Sequence, residues 1–188
     1  MIHTVELQTD TVRQMAAAFT AGTVGVDTFL HGVCQLIAGH LHCNRVNIWR
    51  FEGPLGLRAL RCVASYDAQH LQDRFLPELT EPEYGDYFAA LIKTGYVEST
   101  DVRTDPRFSG LLESYLKPRD IRSLLDVGFS VNGRTVGILC CEQTGELRQW
   151  QPVDVATVRR VGTTISLALT KSGEWEAHFP DDMPVTRS

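Results

Sequence analysis

An α+β fold with a central antiparallel β-sheet is predicted by three observations: a long β-hairpin over 121–144, a second hairpin over 45–66, and amphipathic helical stretches before, between and after them. In the first hairpin, two apolar runs rich in β-branched residues, Ile121–Val131 and Arg134–Thr144, flank Asn132-Gly133. Both turn residues tolerate the positive φ of a two-residue type I′ turn, whose twist matches that of the strands it joins. Counting back from this turn places Val127 opposite Ile138, Leu125 opposite Cys140 and Ser123 opposite Glu142. One face then carries Ser123, Leu125, Val127, Phe129, Val136, Ile138, Cys140 and Glu142. The other, more mixed face carries Arg122, Leu124, Asp126, Gly128, Ser130, Gly137, Leu139, Cys141 and Gln143. A sheet that is greasy on one side and mixed on the other suits helices on the first side and a polar, partly enclosed space on the second.

Residues 1–26 read as an N-terminal extension with room for a short helix over Thr11–Phe19. Asp27 then stands as an N-cap, and Phe29, Leu30, Val33, Leu36, Ile37 and Leu41 recur at helical spacing. Arg45–Glu52 alternates as a strand, Gly53-Pro54-Leu55-Gly56 turns, and Leu57–Tyr66 returns, with Arg61 and Tyr66 on opposite faces by parity. Asp67–Pro82 has two prolines and no sustained period, and reads as a loop. Glu83–Thr94 reads as a helix closed by Gly95, Tyr96–Ser99 as a short edge strand, and Pro106–Leu116 as a helix capped by Asp105. A long helix follows Pro152, and 171–188 reads as a loose polar tail.

Composition excludes several classes. A net charge of −5 with no basic run argues against a grip on nucleic acid. No apolar stretch is long enough to cross a bilayer and the N-terminus lacks a leader pattern, so a cytosolic protein is expected. Five cysteines without C-x-x-C spacing suggest neither a disulfide framework nor a zinc site, and His40 and His42 do not share a helix face. Walker, dinucleotide-binding, nucleophile-elbow and kinase motifs are missing from the sequence. Asp126 stands out, because a carboxylate inside an apolar strand is costly to bury unless paired. It reads either as a structural ion pair with Arg122, as an exposed side chain, or as part of a ligand-facing polar pair.

In sequence, RVNIWRFE, LRCVASY, DVRTDPRF, SYLKPRDIRSLLDV and GRTVGILCCEQTGELRQWQPVD resemble the GAF domain, a sensory module of bacterial signalling proteins, over 27–170. The likeness is to modules attached to sensor histidine kinases and diguanylate cyclases. It implies a sheet with the first and last helices on one face, and loops and short helices covering a small-molecule pocket on the other. It also implies dimerisation through the terminal helices, a non-enzymatic role in two-component signalling, and a kinase or cyclase output domain or partner. The pocket residues it suggests are Arg122, Asp126 and Cys141 from the strands, Arg61 or Tyr66 from the second hairpin, and Tyr87, Phe88 and Tyr115 from the lid. Bilin-binding members carry a cysteine, often followed by histidine, where this chain reads RFSGLLESYLKP, so no covalent bilin is expected and the ligand stays unnamed. Two other readings stay open: a degenerate domain used for dimerisation or partner binding, and a thiol enzyme like the free methionine sulfoxide reductases, with Cys140 or Cys141 as nucleophile.

Overall fold

The computed structural model describes residues 2–69, 76–131 and 134–173. The Asn132-Gly133 turn and most of the expected tail lie outside them. Strands β1 (Arg45–Glu52), β2 (Ala59–Asp67), β3 (Leu79–Thr80), β4 (Tyr96–Ser99), β5 (Ile121–Val131) and β6 (Arg134–Thr144) form one antiparallel sheet in the order β3-β2-β1-β6-β5-β4. Helices α1 (Ile2–Thr20), α2 (Val26–Leu41) and α4 (Pro152–Ser172) gather on one face of it. Helix α3 (Gly85–Thr94) and the irregular helical run Pro106–Arg119 form a lid over the other.

Each helix has a local cause. The α2 stripe buries Phe29, Leu30, Val33, Ile37 and Leu41 against the sheet. Its N-cap is Gly25 and not Asp27, which sits in the first turn, where a carboxylate complements the helix dipole. Helix α1 is much longer than Thr11–Phe19 and docks through Phe19, stacked on Phe29 at 4.9 Å. Helix α4 opens with a reciprocal Gln151–Asp154 capping box. Asp105 accepts from the Arg107 N–H at 3.1 Å, as its position before Pro106 predicts. The segment it caps is not one α-helix but a 3₁₀ turn, a π turn over Leu112–Leu116 and a second 3₁₀ turn. The expected loop before Pro82 holds the short edge strand β3, paired with β2.

Three bulges set which side chains face which layer. Val136 is extra in β6 opposite Phe129–Ser130, Arg122 is extra in β5, and Val63 is extra in β2. The Val136 bulge shifts the pairing to Val127 with Leu139 and Leu125 with Cys141. A one-residue slip exchanges faces. Leu139 and Cys141 therefore join Leu125, Val127 and Phe129 under the helices, while Ile138, Cys140 and Glu142 turn to the lid beside Asp126.

Candidate functional site

The lid face of the three central strands is a grid. Register sets Asn47 of β1 beside Cys140 of β6, and Cys140 beside Asp126 of β5. One step along the strands, Arg45 lies beside Glu142 and Glu142 beside Leu124. Polar groups here are deeply buried: Asp126 is 1% exposed, and Asn47 and Glu142 are 0% exposed.

The lid supplies hydrogen bonds to this grid. Helix α3 places Tyr87 so that its hydroxyl donates to Asp126 Oδ2, and the π turn places Tyr115 so that its hydroxyl donates to Glu142 Oε1 at 2.7 Å. Turns of this wider kind recur at functional positions. The Cys140 thiol points to Glu142 Oε1 at 3.5 Å. Arg45 bridges two carboxylates, with Nε 3.1 Å from Glu142 Oε2 and Nη1 3.6 Å from Asp67 Oδ2. Asp126 Oδ1 accepts from no N–H or O–H donor among the described residues.

Burial dominates the proton affinities. It pushes Asp126 up to about 7, against the pull of the Cys140 and Tyr87 hydrogen bonds and with a further push from Glu142. Burial, then the Asp126 charge, raises the Tyr87 phenol well above its ordinary value. Burial and Glu142 do the same to Tyr115. Both phenols are therefore fixed as donors. Burial and the two neighbouring carboxylates also raise the Cys140 thiol well above its ordinary value.

Between Asp126, Cys140, Tyr87, Tyr115, Trp49 and Ile138 lies a cavity of about 10 Å³, room for about one water molecule. Aromatic rings pack around it: Trp49 meets Tyr115 at 6.0 Å between ring centroids, and Tyr87 meets Phe88 at 5.8 Å and Phe108 at 5.7 Å. Among the described residues, no group of histidine, cysteine, aspartate and glutamate side chains is arranged to hold a metal ion.

Of the residues the sequence nominated, Asp126, Tyr87 and Tyr115 meet at this cavity, and Phe88 packs directly behind Tyr87. The other four do not. Cys141 lies under the helices because of the Val136 bulge. Arg122 sits on its own bulge and faces Asp101 at 3.8 Å instead of pairing with Asp126. The Val63 bulge turns Tyr66 to the helix face, 6.2 Å from the His31 ring. Arg61 alternates with the lid-packed Leu60 and Cys62, so it points away and pairs with Glu52 and Glu78 at the surface. Parity alone misses Glu142, Cys140, Asn47 and Arg45. The available signal was Glu142 itself, a second carboxylate at the end of the apolar run ILCC.

Comparison with known proteins places this architecture. No curated protein sequence matches the chain. The GAF-domain GAF structure of PixJ from Thermosynechococcus elongatus, in its blue-light absorbing form, is 21% identical, with a TM-score of 0.66 over 79% of this chain and 86% of that one. The phycocyanobilin-bound GAF domain of a cyanobacterial phytochrome is 16% identical, with a TM-score of 0.67 over 90% of this chain and 97% of that one. Free methionine-R-sulfoxide reductase from Neisseria meningitidis, solved with its substrate, is 14% identical, with a TM-score of 0.69 over 90% of each chain. At these identities the likeness is one of fold. The sequence profile described as GAF domain matches residues 25–169, well over half of the chain, and the protein belongs to the GAF domain family.

Proposed function

We propose that this protein is a cytosolic, non-enzymatic sensory module that binds a small molecule between sheet and lid and passes the change through its terminal helices. The observation that carries this reading is Asp126, a buried carboxyl that lines the cavity, whose hydrogen-bond partners are the Tyr87 hydroxyl and the weakly donating Cys140 thiol and whose Oδ1 receives no N–H or O–H from the described residues. A buried acceptor left in this state is costly, and a bound donor removes the cost. Two structural neighbours, a phycocyanobilin-bound GAF domain and a reductase solved with its substrate, support a small molecule as occupant of this fold. Segment 107–118 holds no cysteine, which favours a non-covalent ligand.

Transmission follows from connectivity. Helix α4 packs on β5, the strand that carries Asp126, and α1 packs on α4. A ligand shifts these helices only as far as it binds two arrangements differently. The receiving partner in this reading is a second copy of the chain, or a kinase or cyclase output domain of a two-component pathway. A thiol enzyme is disfavoured because Cys140 is held as a neutral thiol, and the thiolate is the nucleophile. No helix among the described residues is long and apolar enough to cross a membrane.

Native mass spectrometry of the purified protein, compared with its denatured mass, tests the reading. A non-covalent difference of metabolite size supports it. A bare mass, with no thermal shift across a metabolite library, removes it. The small cavity favours a second reading, in which the lid aromatics fill the chamber and the domain serves as a dimerisation or partner platform. A bare dimer would shift weight there.

A further inference from the structure

We infer that the ligand of this chamber is a small organic cation rich in N–H donors, of the ammonium, amidinium or guanidinium class, and that the Tyr87 and Tyr115 hydroxyls occupy the positions of its donors when the lid is closed. This inference rests on the sensory reading above.

The first argument is the balance of charge. On the lid face, Glu142 and Asp67 share the single guanidinium of Arg45. Asp126 has no ion-pair partner among the described residues, since Arg122 is engaged by Asp101. Arg119 lies outside the chamber, with its guanidinium 4.7 Å from the centre of the Tyr115 ring and donating to the Tyr115 carbonyl at 3.2 Å. Among the described residues that line the cavity, Asp126 therefore carries the one carboxyl group and none carries a cationic side chain.

The second argument is the character of the walls. Trp49, Tyr87 and Tyr115 line the cavity, and aromatic rings attract cations through their negative faces. Anions and acceptor-only ligands would meet carboxylates on the sheet and the same rings; among the described residues the unpaired buried amide donor on this face, Asn47 Nδ2, stands one strand further off, beyond Cys140.

The third argument is how the chamber is closed. Each carboxylate takes its lid hydrogen bond from a tyrosine hydroxyl on a different lid segment, Tyr87 on α3 and Tyr115 on the Leu112–Leu116 turn. A ligand bearing several N–H groups replaces these hydroxyls with charge-assisted bonds, which are the stronger kind. It thereby releases both lid segments at once. This gives the small cavity a role: the chamber is closed by internal donors that a cation displaces, at the cost of reduced apparent affinity.

The test uses three probes of one size and shape, benzamidinium, benzamide and benzoate, together with the smaller methylguanidinium. Binding to the whole chain is measured by calorimetry and thermal shift. Benzamidinium or methylguanidinium is expected to bind and raise Tm, with benzamide weaker by about tenfold or more and benzoate weaker still. Asp126→Asn is expected to erase the preference for the cation. Tyr115→Phe and Tyr87→Phe, which keep the rings, are expected to bind the cation about fivefold more tightly because an internal competitor is gone. Circular dichroism of each variant checks that it is folded. Equal binding of benzamide or benzoate, or a cation preference that survives Asp126→Asn, overturns the inference and leaves the sensory reading standing. Cation probes that bind neither the parent nor the tyrosine variants also overturn it. A bare native mass in that case removes the sensory reading as well, whereas a bound neutral or anionic metabolite leaves it standing.

Discussion

The Tyr115 hydroxyl donates to Glu142 at 2.7 Å, joining the lid to the central strand β6, and Arg45 holds the other oxygen of the same carboxylate from β1. The lid is thus pinned to the sheet by a buried charge. Removing the counter-charge is expected to be costly, because Glu142 has no exposure through which water could replace it. Arg45→Ala should lower stability by about 3–5 kcal/mol in urea unfolding. The double replacement Arg45→Met with Glu142→Leu should recover most of that loss, since an apolar pair of similar bulk needs no desolvation.

Asp126 makes stability depend on pH. Its folded-state pKa, about 7, lies above the ordinary carboxylate value of 3.8, so the native state binds the proton more tightly than the unfolded state does. Its contribution is fully present below about pH 4 and is lost as pH rises through 7. Asp126→Asn cannot ionise and should remove this fall. Denaturant melts at pH 4 and pH 8 should show the variant gaining on the parent at the higher pH, by an amount on the order of a few kcal/mol.

Gly137 is where β6 passes beneath Phe129 and beside Trp49. A Cβ there would come within 2.4 Å of Phe129 Cζ and 2.5 Å of the Trp49 carbonyl oxygen. The backbone oxygen cannot yield without shifting β1. Gly137→Ala should therefore destabilise by about 2 kcal/mol or more, measured by the urea midpoint. Gly39, exposed within α2 with nothing near its Cβ position, gives the opposite sign. Gly39→Ala should stabilise by about 0.5–1 kcal/mol.

The thiols should be unreactive in the folded protein. Burial pushes Cys34 and Cys140 well above the ordinary thiol value and lifts Cys62 to about 12. Cys141 is raised first by its hydrogen bond with Cys43 and then by burial. Iodoacetamide at pH 8 should label the native protein slowly at each of these four sites and all five cysteines rapidly after denaturation, as read by intact mass. Rapid native labelling of Cys140 would instead revive the thiol-enzyme reading.

Much of the architecture was legible in the chain because it follows from local periodicity. The bounds of Arg45–Glu52, Tyr96–Ser99, Ile121–Val131 and Arg134–Thr144 coincide with strands in the structure. The Phe29–Leu41 stripe likewise marks the helix it forms. Asp126 was legible too, because a carboxylate in an apolar strand is conspicuous without any partner being known. Segment 106–119 was less so: its composition suits a helix, but the structure buries Phe108, Leu111, Tyr115 and Leu116 against the sheet through 3₁₀ and π turns, which composition does not distinguish from an α-helix.

The sequence by itself determined the α+β class, the two hairpins, the family and a conspicuous acid at position 126, whose burial it left open. Only the tertiary structure decided what stands beside that acid. Three extra residues, Val63, Arg122 and Val136, each interrupt the two-residue alternation of a strand. Beyond a bulge the side chains change faces, so Cys141 and Tyr66 turn to the helices, and Cys140 and Glu142 to the lid. A bulge is a property of two strands pairing, shaped by what packs above and below them, and alternation within one strand does not reveal it.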